Sequence, residues 1–135
     1  MTEDEIKESI KKEEGIRLNV YRDSLGNLTV GYGHLLRAGS IIPQSVADAL
    51  FEFDYNRACK DYDTLNLDLD NVRKGVIIDM VFNLGLGGVQ RFSKMIGHLK
   101  AKNWIQAAYE LMESEYAKQV PERAKRNRDR LLRGS

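Results

Sequence analysis

Residues 14–34 read Glu14-Gly-Ile-Arg-Leu-Asn-Val-Tyr-Arg-Asp23-Ser-Leu-Gly-Asn-Leu-Thr29-Val-Gly-Tyr-Gly-His34, and the period of the chain changes within them. Upstream, Thr2 followed three residues later by Glu5 has the form of a capping box, and Ile6 and Ile10 recur at helical spacing. A first helix is therefore expected from about residue 3 to Glu14, with Gly15 as its stop. From Gly15 on, Ile16, Leu18 and Val20 alternate with Arg17, Asn19 and Tyr21; after the turn residues Asp23 to Asn27 the alternation resumes at Leu28, Val30 and Tyr32. The stretch reads as a helix feeding a β-hairpin.

After His34 the pattern is helical to the end. Pro43 suits a first helical position, and Val46, Leu50 and Phe53 predict a buried stripe on a helix ending near Cys59. Asp70 or Asn71 opens the expected central core helix, along which Val72, Val76, Met80 and Leu84 step by four before Gly85. Ser93 and Asn103 are the expected N-caps of two further helices, and Val120-Pro121 opens a last, arginine-rich one. The sum is an α+β fold, mostly helical, with one small antiparallel sheet near the N-terminus. Its 135 residues suit a single domain, 1–135, rather than two.

Composition narrows the function classes. Apolar residues make up 42% and charged residues 30%, which argues against a disordered chain, and no apolar run approaches the roughly 20 residues of a membrane-spanning helix. The acidic start MTEDEIKESIKKEEG does not read as a secretory leader, so synthesis in the cytoplasm without a signal peptide is expected. One cysteine, Cys59, allows no internal disulfide; it reads as a small core or helix-face residue. His34 and His98 lack metal-pair spacing, and no metal or other cofactor is expected. From Ala117 onward seven cations face two acids, about +5, which leaves about −4 for the rest. Such a helix suits a polyanionic surface, either a bacterial wall or the phosphates of a nucleic acid.

The chemistry lies in the quoted stretch. One carboxylate closes a helix, a second sits in the hairpin turn, and a threonine lies on the returning strand. Glycosidic hydrolysis typically needs such a pair: one group protonates the leaving oxygen and the other handles the developing positive charge or the water. The negative pole of the first helix favours a protonated Glu14, and a turn with backbone N–H groups in reach favours an ionised Asp23. Acids at helix ends and in turns are also common solvated residues, so the pair alone leaves that reading open. Phe82 and Tyr32 could be packed or could stack on a sugar ring; Trp104 reads as core, and Gly85-Leu-Gly-Gly88 as a turn between helices rather than a phosphate loop.

The pattern Glu14, Asp23, Thr29 and Gly31-Tyr-Gly-His34 resembles the phage lysozyme family (endolysins, muramidases), of the type found in T-even phages. The likeness continues through Leu50-Phe-Glu-Phe-Asp54, Asp79-Met-Val-Phe-Asn-Leu-Gly85, Gly88-Val-Gln-Arg-Phe92 and Pro121-Glu-Arg-Ala-Lys-Arg126. The resemblance implies a cofactor-free glycoside hydrolase that cuts peptidoglycan between N-acetylmuramic acid and N-acetylglucosamine, inverts the anomeric centre and lyses bacterial cells once the membrane is permeabilised. It implies two lobes, a hairpin lobe over about 12–55 and a helical lobe that includes the N-terminal helix, with the glycan in a groove between them. Glu14, Asp23 and Thr29 fall at the catalytic positions; Tyr32, His34, Leu35, Phe82, Asn83 and Arg123 are the candidate substrate-binding residues. Among these, Arg123 falls where a guanidinium faces the catalytic Glu, and His34 is paired with Asp54. The expected partners are peptidoglycan glycan strands and the polyanionic wall surface, with no nucleic acid and a monomeric chain. A catalytically degenerate lysozyme fold and a basic-helix module for nucleic acid are the alternatives.

Overall fold

A computed structural model describes residues 1–135. The chain divides into two compact units, Met1–Gln44 and Ser45–Ser135, each described by itself below.

In the first unit, α1 (Glu3–Glu14) begins with both halves of the Thr2/Glu5 capping box and ends where Gly15, at φ 69°, donates its N–H to Lys11 O at 2.8 Å. Three antiparallel strands follow in the order β1 (Arg17–Arg22), β2 (Leu28–Gly31) and β3 (His34–Leu35). The third strand adds to the expected hairpin. In β1, Arg17 faces Gly31 and Tyr21 faces Thr29, so β1 holds two more residues than β2 over that interval. This bulge breaks the two-residue alternation. Leu18 and Val20, which carry the strand period in sequence, are exposed along with Arg17 and Asn19, while Thr29 in the middle strand is 2% exposed. Ile6 and Ile10 of α1 are likewise exposed.

The second unit is all helix. α2 (Gln44–Asp63), whose first residue closes the first unit, starts one residue after Pro43 and runs past Cys59. It buries Ala58 and Tyr62, and Val46, Leu50 and Phe53 are exposed, which corrects the expected stripe: the helix joins the unit's core through its C-terminal half. α3 (Asn71–Gln90) is capped by Asp70, whose carboxylate accepts from Arg73 N–H at 3.2 Å. Val76, Ile77, Met80 and Val81 of α3 form the centre of the core. At Gly85 the helical path breaks, with φ 77° and ψ 164°, and resumes immediately.

α4 (Ser93–Lys100) packs on α5 (Trp104–Met112), α5 and α6 (Glu115–Gln119) pack on α7 (Pro121–Arg133), and α7 packs on α3; together the four contribute Met95, Leu99, Leu111, Tyr116 and Leu131 to the core. Ser93 is the first helical residue rather than the cap. Neither Phe92, which takes that place, nor Asn103 makes a side-chain cap hydrogen bond, and Ser114 caps α6 instead. Trp104 packs against the core and carries the Arg73 guanidinium 3.9 Å from its ring centre. Arg73 Nε donates to Leu131 O at 2.7 Å, so one arginine ties the start of α3 to the end of α7.

Two glycines of α3 give opposite expectations. Gly85 occupies a backbone region open essentially to glycine alone, so Gly85→Ala should cost about 1–3 kcal/mol. Gly75 sits in the helix body with nothing within 4 Å of an added Cβ, so Gly75→Ala should stabilise by about 0.5–1 kcal/mol. Urea unfolding of the two variants checks both signs; equal effects would contradict the break at Gly85.

Candidate active site

The turn between β1 and β2 is laced by hydrogen bonds. Asp23 Oδ1 accepts from the N–H groups of Leu25 at 2.9 Å and Asn27 at 2.8 Å, while Asp23 N–H donates to Asn27 O at 2.8 Å. Gly26 N–H donates back to Asp23 O at 2.9 Å, and Gly26 supplies the φ of 84° that the turn requires. Arg22 Nη1 holds Gly26 O at 2.9 Å. The Thr29 hydroxyl donates to Asn27 O, also at 2.9 Å. The peptide groups of Asn27 therefore bind both candidate residues, Asp23 through N–H and C=O, and Thr29 through C=O.

Charge at Asp23 follows from this geometry. The Asn27 N–H bond is the largest influence, with further help from Leu25 N–H, the Asn27 side chain and the Arg37 charge; together they outweigh desolvation and hold the carboxyl below its ordinary 3.8. Asp23 is therefore ionised at neutral pH.

Glu14, the last residue of α1, lies against Gly33 in the turn between β2 and β3. A Cβ added to Gly33 would stand 2.6 Å from Glu14 Oε2, and Gly33 itself has φ 72°. The Gly-Tyr-Gly sequence thus does two things: it turns the chain tightly, and it leaves space that the carboxylate fills. Tyr32, between the two glycines, is exposed, with Lys11 Nζ of α1 5.5 Å from its ring centre. His34 and Leu35 form β3, opposite Val30 and Thr29. Six of the nine site residues read from sequence, Glu14, Asp23, Thr29, Tyr32, His34 and Leu35, therefore lie in the first unit.

The other three lie in the second. Phe82 and Asn83 line a cleft of about 580 Å³ with Asp54, Arg57 and Asp61. Asp54 is ion-paired within its helix to Arg57 at 3.3 Å. Arg123 lies on a neighbouring cleft of about 320 Å³ beside Phe51, Tyr55 and Phe82, the Phe51 and Phe82 rings being 5.6 Å apart. Its guanidinium is held in bidentate fashion by Asp79, Nε to Oδ2 at 3.0 Å and Nη2 to Oδ1 at 2.8 Å. Burial pushes the Asp79 carboxyl up, but hydrogen bonds from Arg123 and Asn127 and the charges of Arg123 and Arg130 outweigh it and leave the group below the usual range. No group of three or more His, Cys, Asp or Glu side chains is placed to hold a metal ion.

Sequence reasoning named neither Asn27 nor Gly33 as part of the site. Asn27 acts through its backbone, which its side-chain type does not advertise, although the Asp-x-x-Gly-Asn spacing is a turn signal. Gly33 acts through the absence of a side chain.

The phage lysozyme family profile matches residues 11–130. The chain belongs to the phage lysozyme family. It is 32% identical over 152 residues to probable T4-type lysozyme 1 of Dictyostelium discoideum, across 90% of this chain and 89% of that protein. It is 30% identical over 112 residues to the endolysin of Acyrthosiphon pisum secondary endosymbiont phage 1, across 81% and 76%. The pre-baseplate central spike protein Gp5 of Enterobacteria phage T4 is 27% identical over 150 residues, where the match covers 88% of this chain and 26% of the spike protein. A lysozyme-family chain is thus similar both to whole lysozymes and to a part of a larger phage protein.

The bonding at Asp23 predicts a titration. The amide proton shifts of Leu25 and Asn27 should follow Asp23 with a midpoint below 3.8. Because the folded value is depressed, the stability this carboxylate contributes is present above the unfolded value of about 3.9 and is lost as pH falls through the folded one. Amide shifts followed by NMR from pH 6 to 2 check this; a midpoint at or above 3.8 would contradict it.

Proposed function

We propose that this chain is a peptidoglycan hydrolase, an N-acetylmuramidase that cleaves the β-1,4 bond between N-acetylmuramic acid and N-acetylglucosamine with inversion, and that residues 1–135 work as one lysozyme domain. The observation that carries the reading is the lacing of Asp23 and Thr29 onto Asn27, in the same unit that seats Glu14 against Gly33.

In this reading Glu14 is the general acid. Its proton goes to the glycosidic oxygen, which takes the electrons of the breaking bond to the anomeric carbon. A water oxygen forms the new bond and gives its proton to Asp23, the ionised base. Thr29 orients that water in a definite sense. Its hydroxyl hydrogen is committed to Asn27 O, so towards a water Thr29 Oγ1 can only accept. A water that donates one hydrogen to Thr29 and one to Asp23 turns its lone pairs outward to attack, and attack on the face opposite Glu14 inverts the centre. A direct carboxylate nucleophile would have no use for the hydroxyl.

Tyr32, His34, Leu35, Phe82, Asn83 and Arg123 contact the glycan in this reading. Exposed aromatic rings such as Tyr32 and Phe82 offer stacking faces, and Asn83 and Arg123 offer donors to hydroxyl and acetamido oxygens. The exposed Lys125, Arg126, Arg130 and Arg133 of α7 draw the enzyme, as a monomer, to the polyanionic wall. No helix is long and apolar enough to cross a membrane, and the enzyme reaches the wall once that membrane is permeabilised.

Two measurements test the reading. On chloroform-treated Gram-negative cells the wild type should clear the suspension, and Glu14→Gln should lose activity by about 10²–10⁴-fold without a change in its melting curve. Substantial lysis by a folded Glu14→Gln variant would remove Glu14 from the acid role. In proton NMR of a fresh digest, read before mutarotation, the α-anomer should appear first; an initial β-anomer would require a covalent intermediate and overturn the role given to Asp23.

A further inference from the structure

The second unit surrounds Arg123 with a polar network whose other members, Asp79, Asn127 and Tyr116, the hydrolytic mechanism does not use. Asp79 of α3 receives three hydrogen bonds, two from Arg123 and one from Asn127 Nδ2 at 2.9 Å. Asn127 is fully buried, and its Nδ2 also donates to the Tyr116 hydroxyl at 3.0 Å. Both N–H groups of the amide are therefore spent, while its carbonyl oxygen is buried without a partner. A leucine or valine at this position would avoid that cost, and the amide supplies what neither could, a fixed donor to Asp79. The orientation of the amide follows from the carboxylate, which can only accept and therefore faces the NH2 end of the amide rather than its oxygen.

We infer that Asp79, itself fixed by Asn127, is a positioning residue that locks the Arg123 guanidinium into one orientation for substrate binding; this rests on the reading of Arg123 as a glycan contact. Asp79 takes the Nε and Nη2 edge of the fork, and within the unit Nη1 makes no hydrogen bond, so its donors remain for a ligand in the cleft beside Phe51, Tyr55 and Phe82. An arginine otherwise explores many rotamers, and one already ordered loses less freedom when substrate arrives. The carboxylate also balances the charge of Arg123. The pair therefore suits a neutral acceptor, a hydroxyl or acetamido oxygen, better than a substrate carboxylate, which Asp79 would repel.

The test is a double-mutant cycle on soluble peptidoglycan fragments, read separately in KM, kcat and melting temperature. Asp79→Ala should raise KM by about three- to tenfold, the cost of ordering one long side chain, with kcat little changed. In an Arg123→Ala background the same substitution should leave KM unchanged. Asn127→Leu, which removes the unpaired oxygen and keeps an apolar filling, should raise KM in the same direction whatever it does to the melting temperature; it serves if Asp79→Ala fails to fold. A purely structural role would lower the melting temperature and leave KM at the wild-type value, and that result would overturn the inference, as would an equal rise of KM in both backgrounds. If KM is indifferent to Asp79, Asn127 and Arg123 while Glu14→Gln is inactive, the positioning role falls and the hydrolase reading stands. A wild type that releases no product from peptidoglycan sinks both.

Discussion

The acceptance of two backbone N–H groups by Asp23 Oδ1 is the interaction on which the first unit depends. The first 44 residues bury almost nothing: α1 has no buried residue, and in the sheet only Thr29 is buried. A unit of this kind cannot hold side chains in place by packing, so it does so by hydrogen bonds to its own backbone. The carboxylate that closes the turn is also the one assigned to the water. Structural and chemical demands coincide, since both require Asp23 to be ionised. The same economy recurs at Gly33, where a turn glycine also makes the space that Glu14 occupies.

The second unit is built in the opposite manner. Ile77, Met80, Met95, Leu99, Leu111 and Leu131 are essentially inaccessible and give it a continuous apolar core. Against that background the buried Asn127, with its unpaired oxygen, marks the one place where the core accepts a polar cost. The cost falls beside the aromatic cleft and its arginine.

Much of this was legible in the sequence, because the signals were local. The Thr2/Glu5 box, the glycine stop at Gly15, the Asp70 cap and Pro121 each act over a few residues, and each marks an element end; the stop and turn expected from Gly85 to Gly88 are instead a break at Gly85 after which α3 resumes. The candidates Glu14, Asp23 and Thr29 could be singled out for a similar reason: a helix end, a tight turn and a returning strand follow one another within 16 residues. What escaped was set by neighbours far along the chain or by backbone atoms. Periodicity put Val46, Leu50 and Phe53 in a core, yet burial of α2 begins further along, where it meets the rest of its unit. Ser93 had the chemistry of a cap and lies one residue inside the helix. Asp79 and Asn127 are 48 residues apart, so no spacing rule could pair them.

The central claim is that a hydroxyl at position 29, not merely a side chain of its volume, organises the attacking water. Thr29→Val keeps the β-branched shape within the sheet and removes the hydroxyl, which is both the acceptor for a water and the donor to Asn27 O, so the decisive measurement is the turnover of this variant on peptidoglycan alongside its circular dichroism and melting curve. The account predicts a folded protein whose kcat falls by about 10²-fold or more, the scale of a lost proton-handling contact. A folded Thr29→Val enzyme with wild-type turnover would contradict it, and would leave the threonine as no more than a pin for the turn.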